Sequence, residues 1–506
     1  MSIAAFIESS SPLVRLLIVL VLVGGGGAAA GRLMPRGPVT VEEALVLLGA
    51  CLLLGILAGW VTGSGWTALA GPAAFLMILE LVRPDLAGPT VGALRLDETY
   101  GILAFLLGRV LPGILVLLPM ILGVRLGLIF RRVSLDAPAG APILSGGGVV
   151  GTGMLLLFVL GLVIFLLVPA GTPELVDDSG QRIPGSTASL EQVSLGGQEQ
   201  TIMIRAENPD NPVLLYLSGG PGQSDLGYTR VLFRDIAADF VVVSWDQRGT
   251  GKSYPALDPA RNLTFEQAVA DTIELTEYLR DRFDEQKIYL LGESYGTILG
   301  VSAVKERPDL YYAWIGSGQM VDITETDRRL YQEMLDYADQ TGDEPLRQQM
   351  EAYGEPPYED IPYANAAVMG YYDALYEPYT PPDRYIELGR EARLGFMNIN
   401  SQEYNLIEKV NVLRGLVDGF SILYPQLEEI DLRRDAAELE VPVYILDGRA
   451  EVAARRDLTL EWYKLLQAPE KQLFSFENAA HSVAFEQFEE LHRMLKQVIL
   501  PDTYPG

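Results

Sequence analysis

Apolar residues follow two unlike patterns along this chain, and the change falls near residue 170. Before it, long apolar runs recur: Leu13–Ala30, Val41–Val61, Trp66–Val82, Ile102–Phe130 and Val149–Ala170. A helix needs about 20 apolar residues to cross the hydrocarbon core of a bilayer. The pattern therefore predicts an all-α transmembrane domain of five spans over residues 1–170. Trp66–Val82 is short and carries Glu80, so a tilted or re-entrant element also fits it. Ile102–Phe130 is overlong and holds Arg109, Pro112 and Arg125, which predicts either a kink or an Arg109 turned inward against other helices. The runs recur too often for a single cleaved leader to explain them.

Residues 171–196 read as a short polar linker, with Thr-Pro, Ser-Gly and Ile-Pro-Gly along it. Beyond it, strand-length apolar runs alternate with helical patterns: Pro212–Leu217, Phe240–Ser244, Lys287–Leu291, Val441–Leu446 and Gln472–Phe476. That βα rhythm predicts a mostly parallel sheet with helices on both faces, over residues 197–506. It breaks between about 318 and 439. There Asp327–Ala338 reads as an amphipathic helix, Tyr353–Tyr385 is rich in Tyr and Pro, and Tyr404–Val410 is helical again. An insertion at this point predicts a helical cap over the sheet edge, its tyrosines serving as packing or as pocket lining.

Chemistry concentrates around Gly292-Glu293-Ser294-Tyr295-Gly296, set between the apolar run Lys287–Leu291 and the helical Thr297–Val304. Strand, Gly-x-Ser-x-Gly turn and helix together form a nucleophile elbow, in which a strained turn lifts the serine hydroxyl above the sheet edge. The context predicts an α/β-hydrolase fold with Ser294 as nucleophile. A serine nucleophile needs a base of near-neutral pKa, and the chain has two histidines. His492 sits in the helical Phe485–Leu495, whereas His481 lies in a loop after the last predicted strand, so His481 is the expected base. The orienting acid belongs in the loop after Val441–Leu446, where Asp447, Glu451 and Asp457 compete. Asp457 reads as a helix N-cap. Glu451, farther out on the loop, is preferred, with Asp447 as the alternative. The glycine-rich Ser218-Gly-Gly-Pro-Gly222 allows close backbone approach, so the Gly220 and Tyr295 amides are the expected oxyanion donors. Gly251-Lys252-Ser253 is no phosphate-binding loop, because that motif needs a glycine where Asp246 stands.

Taken together, Ser218–Gly222, Asp246–Ser253, the elbow, Gly448–Glu451 and Glu477–His481 resemble the prolyl iminopeptidase family of α/β-hydrolases, over roughly Val193 to Leu500. The resemblance implies a serine exopeptidase that removes an N-terminal residue, commonly proline, from short peptides, without a cofactor or metal. Serine stands at position 218 where the family usually has histidine, and glutamate at position 451 where it usually has aspartate. An aminopeptidase needs an anion for the substrate ammonium; cap carboxylates and Glu293 are the candidates, Glu293 being otherwise a structural hydrogen-bonder beneath the nucleophile. The other readings are an esterase or lipase-like hydrolase with the same triad, acting on small esters in place of peptides, and a non-catalytic receptor on the same fold.

Charge separates the two parts. Through Ala170 there are nine Arg and eight acidic residues; the remainder holds 29 basic and 58 acidic, a net of −29. Such a domain is repelled by nucleic acid and by anionic lipid surfaces, and suits neutral or cationic substrates. The expected partners are therefore a substrate and the lipid bilayer, with no nucleic acid. Cys51 is the sole cysteine and lies within a span, so no internal disulfide or cysteine metal site is expected. Arg131 and Arg132 precede the last span while Glu174, Asp177 and Asp178 follow it, which by the positive-inside rule predicts a multi-pass protein with its catalytic domain outside the cytoplasm. Arg32, Arg36, Arg83 and Arg95 pull the other way.

Overall fold

A helix satisfies the backbone groups of a long apolar run within the run itself, and the first part of the chain is helical accordingly. The computed structural model describes residues 7, 9–92, 95–135, 146–376 and 378–505. It divides into two units, Met1–Pro169 with Asn405–Val410, and Ala170–Tyr404 with Asn411–Gly506.

In the first unit, α1 (Pro12–Leu33), α2 (Val41–Thr62), α3 (Thr67–Val82), α4 (Thr99–Leu135) and α5 (Gly146–Leu166) follow the five apolar runs. A capping box of Thr40 and Glu43 starts α2. Four of these helices are long and apolar enough to cross a membrane, where five spans were expected. The exception is α3, whose 16 residues reach about 24 Å, against a hydrocarbon core of about 30 Å. Pro112 and Pro119 both lie inside the single 37-residue helix α4. Arg109 turns inward: its Nε lies 3.2 Å from Glu80 Oε1, Nη1 donates to the Thr90 carbonyl at 3.1 Å, and its guanidinium covers the Phe105 ring.

Helices α2 and α4 meet through paired small-residue motifs, Gly55-x-x-x-Gly59 and Gly123-x-x-x-Gly127. A Cβ at Gly55 would come within 2.3 Å of the Met120 carbonyl oxygen, and one at Gly123 within 2.2 Å of that of Leu52. Both glycine pairs bring backbone against backbone, the close helix packing that small residues allow.

The second unit is built on an eight-stranded sheet of order β1-β2-β4-β3-β5-β6-β7-β8. Its strands are β1 (Thr187–Leu195), β2 (Gln198–Ala206), β3 (Val213–Leu217), β4 (Val241–Asp246), β5 (Ile288–Glu293), β6 (Tyr311–Ser317), β7 (Val443–Gly448) and β8 (Lys471–Phe476). β1 and β2 are antiparallel, as are β2 and β4; every other pair is parallel. With α6 (Leu226–Leu232), α7 (Phe265–Phe283) and α8 (Tyr295–Glu306), this is the α/β-hydrolase fold. Strand β1 lies inside the expected linker, so the sheet begins at Thr187 and not after Gly196. Its polar residues, half-buried at the sheet edge, hide it from a reading of apolar runs.

Between β6 and β7 the chain forms α9 (Ile323–Thr341), α10 (Glu344–Tyr353), α11 (Ile361–Met369), α12 (Tyr372–Leu375), α13 (Asp383–Ala392), α14 (Leu406–Leu423) and α15 (Leu432–Asp435). This helical insertion occupies the span read as a cap. The helix α16 (Ala453–Leu465) follows β7.

The glycine contacts of α2 are testable against a neighbour on the same helix. Gly55→Ala is expected to destabilise the detergent-solubilised protein by on the order of 1–3 kcal/mol, through forced backbone separation. Gly49→Ala, whose Cβ would meet nothing within 4 Å, should be neutral or gain up to about 1 kcal/mol of helix propensity. Thermal unfolding in detergent checks the difference; equal midpoints would contradict the packing.

Candidate active site

Parallel strands deliver their following loops to one edge of the sheet, where open α/β sheets keep their sites. Five such loops converge here. Strand β5 ends at Glu293, and Ser294 follows in a left-handed turn at φ 54°, ψ −122° before α8 begins at Tyr295. The elbow's glycines are dictated by crowding. A Cβ at Gly292 would lie 2.5 Å from the Gly296 carbonyl oxygen and the Trp314 ring, and one at Gly296 only 2.3 Å from the Leu217 carbonyl oxygen. The Ser294 amide donates to the Ser317 carbonyl at 3.0 Å, and Thr297 Oγ1 donates to the Ser294 carbonyl at 2.6 Å. Neighbouring β6 thus holds the turn in place.

The loop after β8 carries His481, and it is stitched to the loop after β7. Arg449 N–H donates to Phe476 O at 2.9 Å and Ala450 N–H to Ala479 O at 3.0 Å. Glu451 then faces His481, with Oε2 on the imidazole Nδ1. Its other oxygen, Oε1, accepts from the Val452 amide at 2.9 Å and from Arg455 Nη1 at 3.2 Å. Burial alone would raise the Glu451 carboxyl. The charges of His481 and Arg455, with their hydrogen bonds, outweigh it and hold the group below the usual carboxylate range. Glu451 is therefore ionised and positioned as an imidazole partner. Gly318, one residue past β6, backs onto the His481 ring: a Cβ there would lie 3.0 Å from Nδ1. Ser317 takes the Ser294 amide on its carbonyl and the Ala484 amide on its hydroxyl. One residue so links the serine turn to the histidine loop.

The competing carboxylates are engaged elsewhere. Asp447 receives Arg456 on both oxygens at 2.8 Å and Ser475 Oγ at 2.7 Å. Asp457 lies inside α16, whose N-cap is Val452, so the N-cap reading of Asp457 is corrected. His492 Nε2 meets Asp239 Oδ2 at 2.7 Å, away from this loop cluster. The tail Gly251–Ser253 opens a 3₁₀ turn in which the Lys252 amide donates to Asp246.

Around Ser294, the Tyr295 amide occupies the first position of α8, where helical N–H groups have no partner within the helix. Gly219 backs directly onto the serine: its Cβ position lies 3.1 Å from Ser294 Cβ. The corresponding direction at Gly220 points into its own turn, at Gly222 and Gln223. Glu293 is 3% exposed and bonds to Ser482; burial, with the charge of Asp225, pushes its carboxyl well above the ordinary range. Its hydrogen bond to Ser482 joins the elbow to the histidine loop. On the cap side, Tyr379 donates to Glu486 Oε1 at 3.3 Å, while Glu486 Oε2 accepts the Ala480 amide at 2.8 Å. A cavity of about 560 Å³ opens beside Glu451, lined among others by Glu333, Asp336, Asp457 and Arg449.

Two functional neighbours escape the sequence reading, Ser317 and Arg455. Arg455 had a legible signal, since a cation four residues after an acid is a helical ion-pair spacing. Ser317 had none, because its role rests on strand pairing alone.

A family model described as serine aminopeptidase, S33, matches residues 214–341. A probable aminopeptidase of Bacillus subtilis (strain 168) is 29% identical over 303 residues, covering 60% of this chain and 93% of that protein. A probable proline iminopeptidase of Leptolyngbya boryana is 28% identical over 102 residues, 20% of this chain and 30% of its own length. Among solved structures, a proline iminopeptidase-related protein from Thermus thermophilus aligns at TM-score 0.43 and 20% identity, over 63% of this chain and 99% of that one.

The two carboxylates give opposite expectations. Glu451→Gln should lower kcat by roughly 10⁴ with little loss of stability, since the acid fixes the tautomer and stabilises the imidazolium. Asp447→Asn should instead cost about 1–3 kcal/mol of stability while keeping kcat within about tenfold, because it disturbs only the contacts with Arg456 and Ser475. Kinetics and thermal unfolding of both variants decide; a crippled Asp447→Asn beside an active Glu451→Gln would reverse the assignment.

Proposed function

We propose that this chain, an α/β-hydrolase of the prolyl iminopeptidase kind, works as a membrane-anchored serine aminopeptidase. Ser294, His481 and Glu451 form its triad. The observation that carries the reading is the Glu451 carboxylate on His481 Nδ1, in a loop joined to the Ser294 turn through Ser317. In the reaction, Ser294 Oγ attacks the carbonyl of the N-terminal residue and its proton passes to His481 Nε2. The tetrahedral oxyanion is received by the Tyr295 amide and a glycine amide of the Gly219–Gly220 turn. His481 returns the proton to the departing amine, leaving the N-terminal residue esterified to Ser294. Water, deprotonated by His481, then releases it as the free amino acid. Glu451 stays ionised throughout and stabilises the imidazolium.

The substrate class follows from charge and from the relatives. An aminopeptidase must desolvate a free ammonium, which a carboxylate offsets with a charge-assisted hydrogen bond. Glu486 meets both the histidine loop and the cap tyrosine Tyr379. Burial pushes its carboxyl up, and an arriving ammonium offsets that cost, so Glu486 is the acceptor we assign. The acidic lining beside Glu451 and the net −29 of residues 171–506 favour cationic over anionic substrates. The helices long and apolar enough to cross a membrane support anchoring, and the positive-inside bias around α5 supports an extracytoplasmic catalytic domain.

Blocking the substrate amine tests the reading. Acetylating a Pro- or Ala-arylamide should lower kcat/KM by at least about tenfold, the value of a charge-assisted hydrogen bond of roughly 1.5–3 kcal/mol. An esterase has no ammonium to satisfy; equal turnover of free and blocked substrates, with fatty esters hydrolysed faster than either, would replace the aminopeptidase reading.

A further inference from the structure

The triad acid has a second cationic neighbour that the reaction does not require. Arg455 sits in the first turn of α16, four residues after Glu451, with its side chain only 8% exposed. One end of its guanidinium, Nη1, lies 3.2 Å from Glu451 Oε1. The other, Nη2, donates to the Tyr372 hydroxyl on the cap helix α12. The guanidinium also lies 4.9 Å from the centroid of the Tyr372 ring, and it hydrogen-bonds Tyr376. The two tyrosine rings contact each other edge to face at 6.0 Å. Glu451 is thereby held at both oxygens, by His481 on one and by Arg455 with the Val452 amide on the other.

We propose that Arg455 is a positioning residue which ties the triad acid to the cap tyrosines, so that Glu451 is aligned on His481 only when the cap is seated. The inference rests on the triad reading above. The geometry explains why a buried arginine is present at all. A carboxylate that must turn one oxygen to an imidazole can rotate about its terminal bonds, and a planar donor on the opposite oxygen removes that freedom. Lysine, a single point donor, cannot serve the carboxylate and the tyrosine hydroxyl with the same planar fork. The tie is also specific to the cap, since α12 belongs to the insertion between β6 and β7 while α16 belongs to the sheet's own connections.

The charge of Arg455 gives the proposal a readout that packing alone would not move. A cation shared by Glu451 weakens the field that stabilises protonated His481. Removing it leaves the carboxylate undivided, so the histidine should hold its proton to higher pH, and the acid limb of kcat/KM should move upward. The other groups facing this pair remain in both Arg455 variants. They are Glu486 beside His481, Glu293 at the end of β5, and Asp327 and Glu333 of α9 toward Arg455. Tyr372 and Tyr376 face it from the cap.

The test uses the full-length detergent-solubilised chain with a Pro- or Ala-arylamide, and a fluorophosphonate label to count competent sites. Arg455→Met is expected to lower kcat by about tenfold or more, as coupled neighbours do, with KM changed less than kcat and the acid limb shifted upward. Arg455→Lys should keep the limb in place and recover part of kcat. Tyr372→Phe combined with Tyr376→Phe, which removes both hydroxyl links to the cap and leaves the Arg455 charge in place, should lower kcat several-fold without moving the limb. Wild-type kcat in Arg455→Met, or a lowered kcat whose limb stays put while the thermal midpoint falls, would overturn the positioning role. Wild-type kcat in the double tyrosine variant would overturn the tie to the cap. A wild-type chain that neither labels nor turns over substrate would instead remove the triad reading on which the proposal rests.

Discussion

A serine held at φ 54°, ψ −122° is the constraint around which the catalytic unit is arranged. A non-glycine residue in that region is costly, of order 1–3 kcal/mol, and persists only where surrounding structure over-determines it. Here the over-determination is visible. Strand β5 is paired on both sides, β3 on one edge and β6 on the other. The Ser294 amide is taken by Ser317, and the flanking glycines admit the Leu217 carbonyl and the Trp314 ring where a side chain would stand. The same residue, Ser317, anchors the start of the segment after His481 through its hydroxyl. The strained turn and the histidine loop are therefore two consequences of how β6 ends.

The acid completes the arrangement through a different physical route. No strand fixes Glu451; it stands in a loop whose backbone is bonded to the loop after β8 and whose carboxylate is divided between an imidazole and a guanidinium. Burial penalises its charge, and two cationic partners more than offset the penalty. Asp447, only four residues earlier, meets the opposite fate because it is still within β7, where its side chain is claimed by Arg456 and Ser475. Two carboxylates so close in sequence thus take a structural and an imidazole-facing position by virtue of where the strand stops.

What was legible in the sequence follows the same division. Strands β3, β4, β5, β7 and β8 are short and bounded by turn residues, whereas β2 and β6 were not read as strands; the elbow's spacing points to its serine because its glycines are sterically required. Histidine scarcity isolated His481. The choice between Glu451 and Asp447 depended on loop geometry, and Asp457 was misread because α16 begins before it. Strand β1 was hidden by polar residues at an edge, while the short run of α3 was already legible as a tilted or re-entrant element. Glu293 was read both as a candidate anion and as a hydrogen-bonder beneath the nucleophile, and its bond to Ser482 lay outside what spacing shows. In each case the missing information was a tertiary neighbour.

The central claim is that Ser294 is the nucleophile, and covalent capture tests it most directly. Treating the intact protein with a fluorophosphonate and mapping the adduct by peptide mass spectrometry should place one phosphonyl group on Ser294, and none on the Ser294→Ala protein. A label on another serine, or equal labelling of both proteins, would contradict the account.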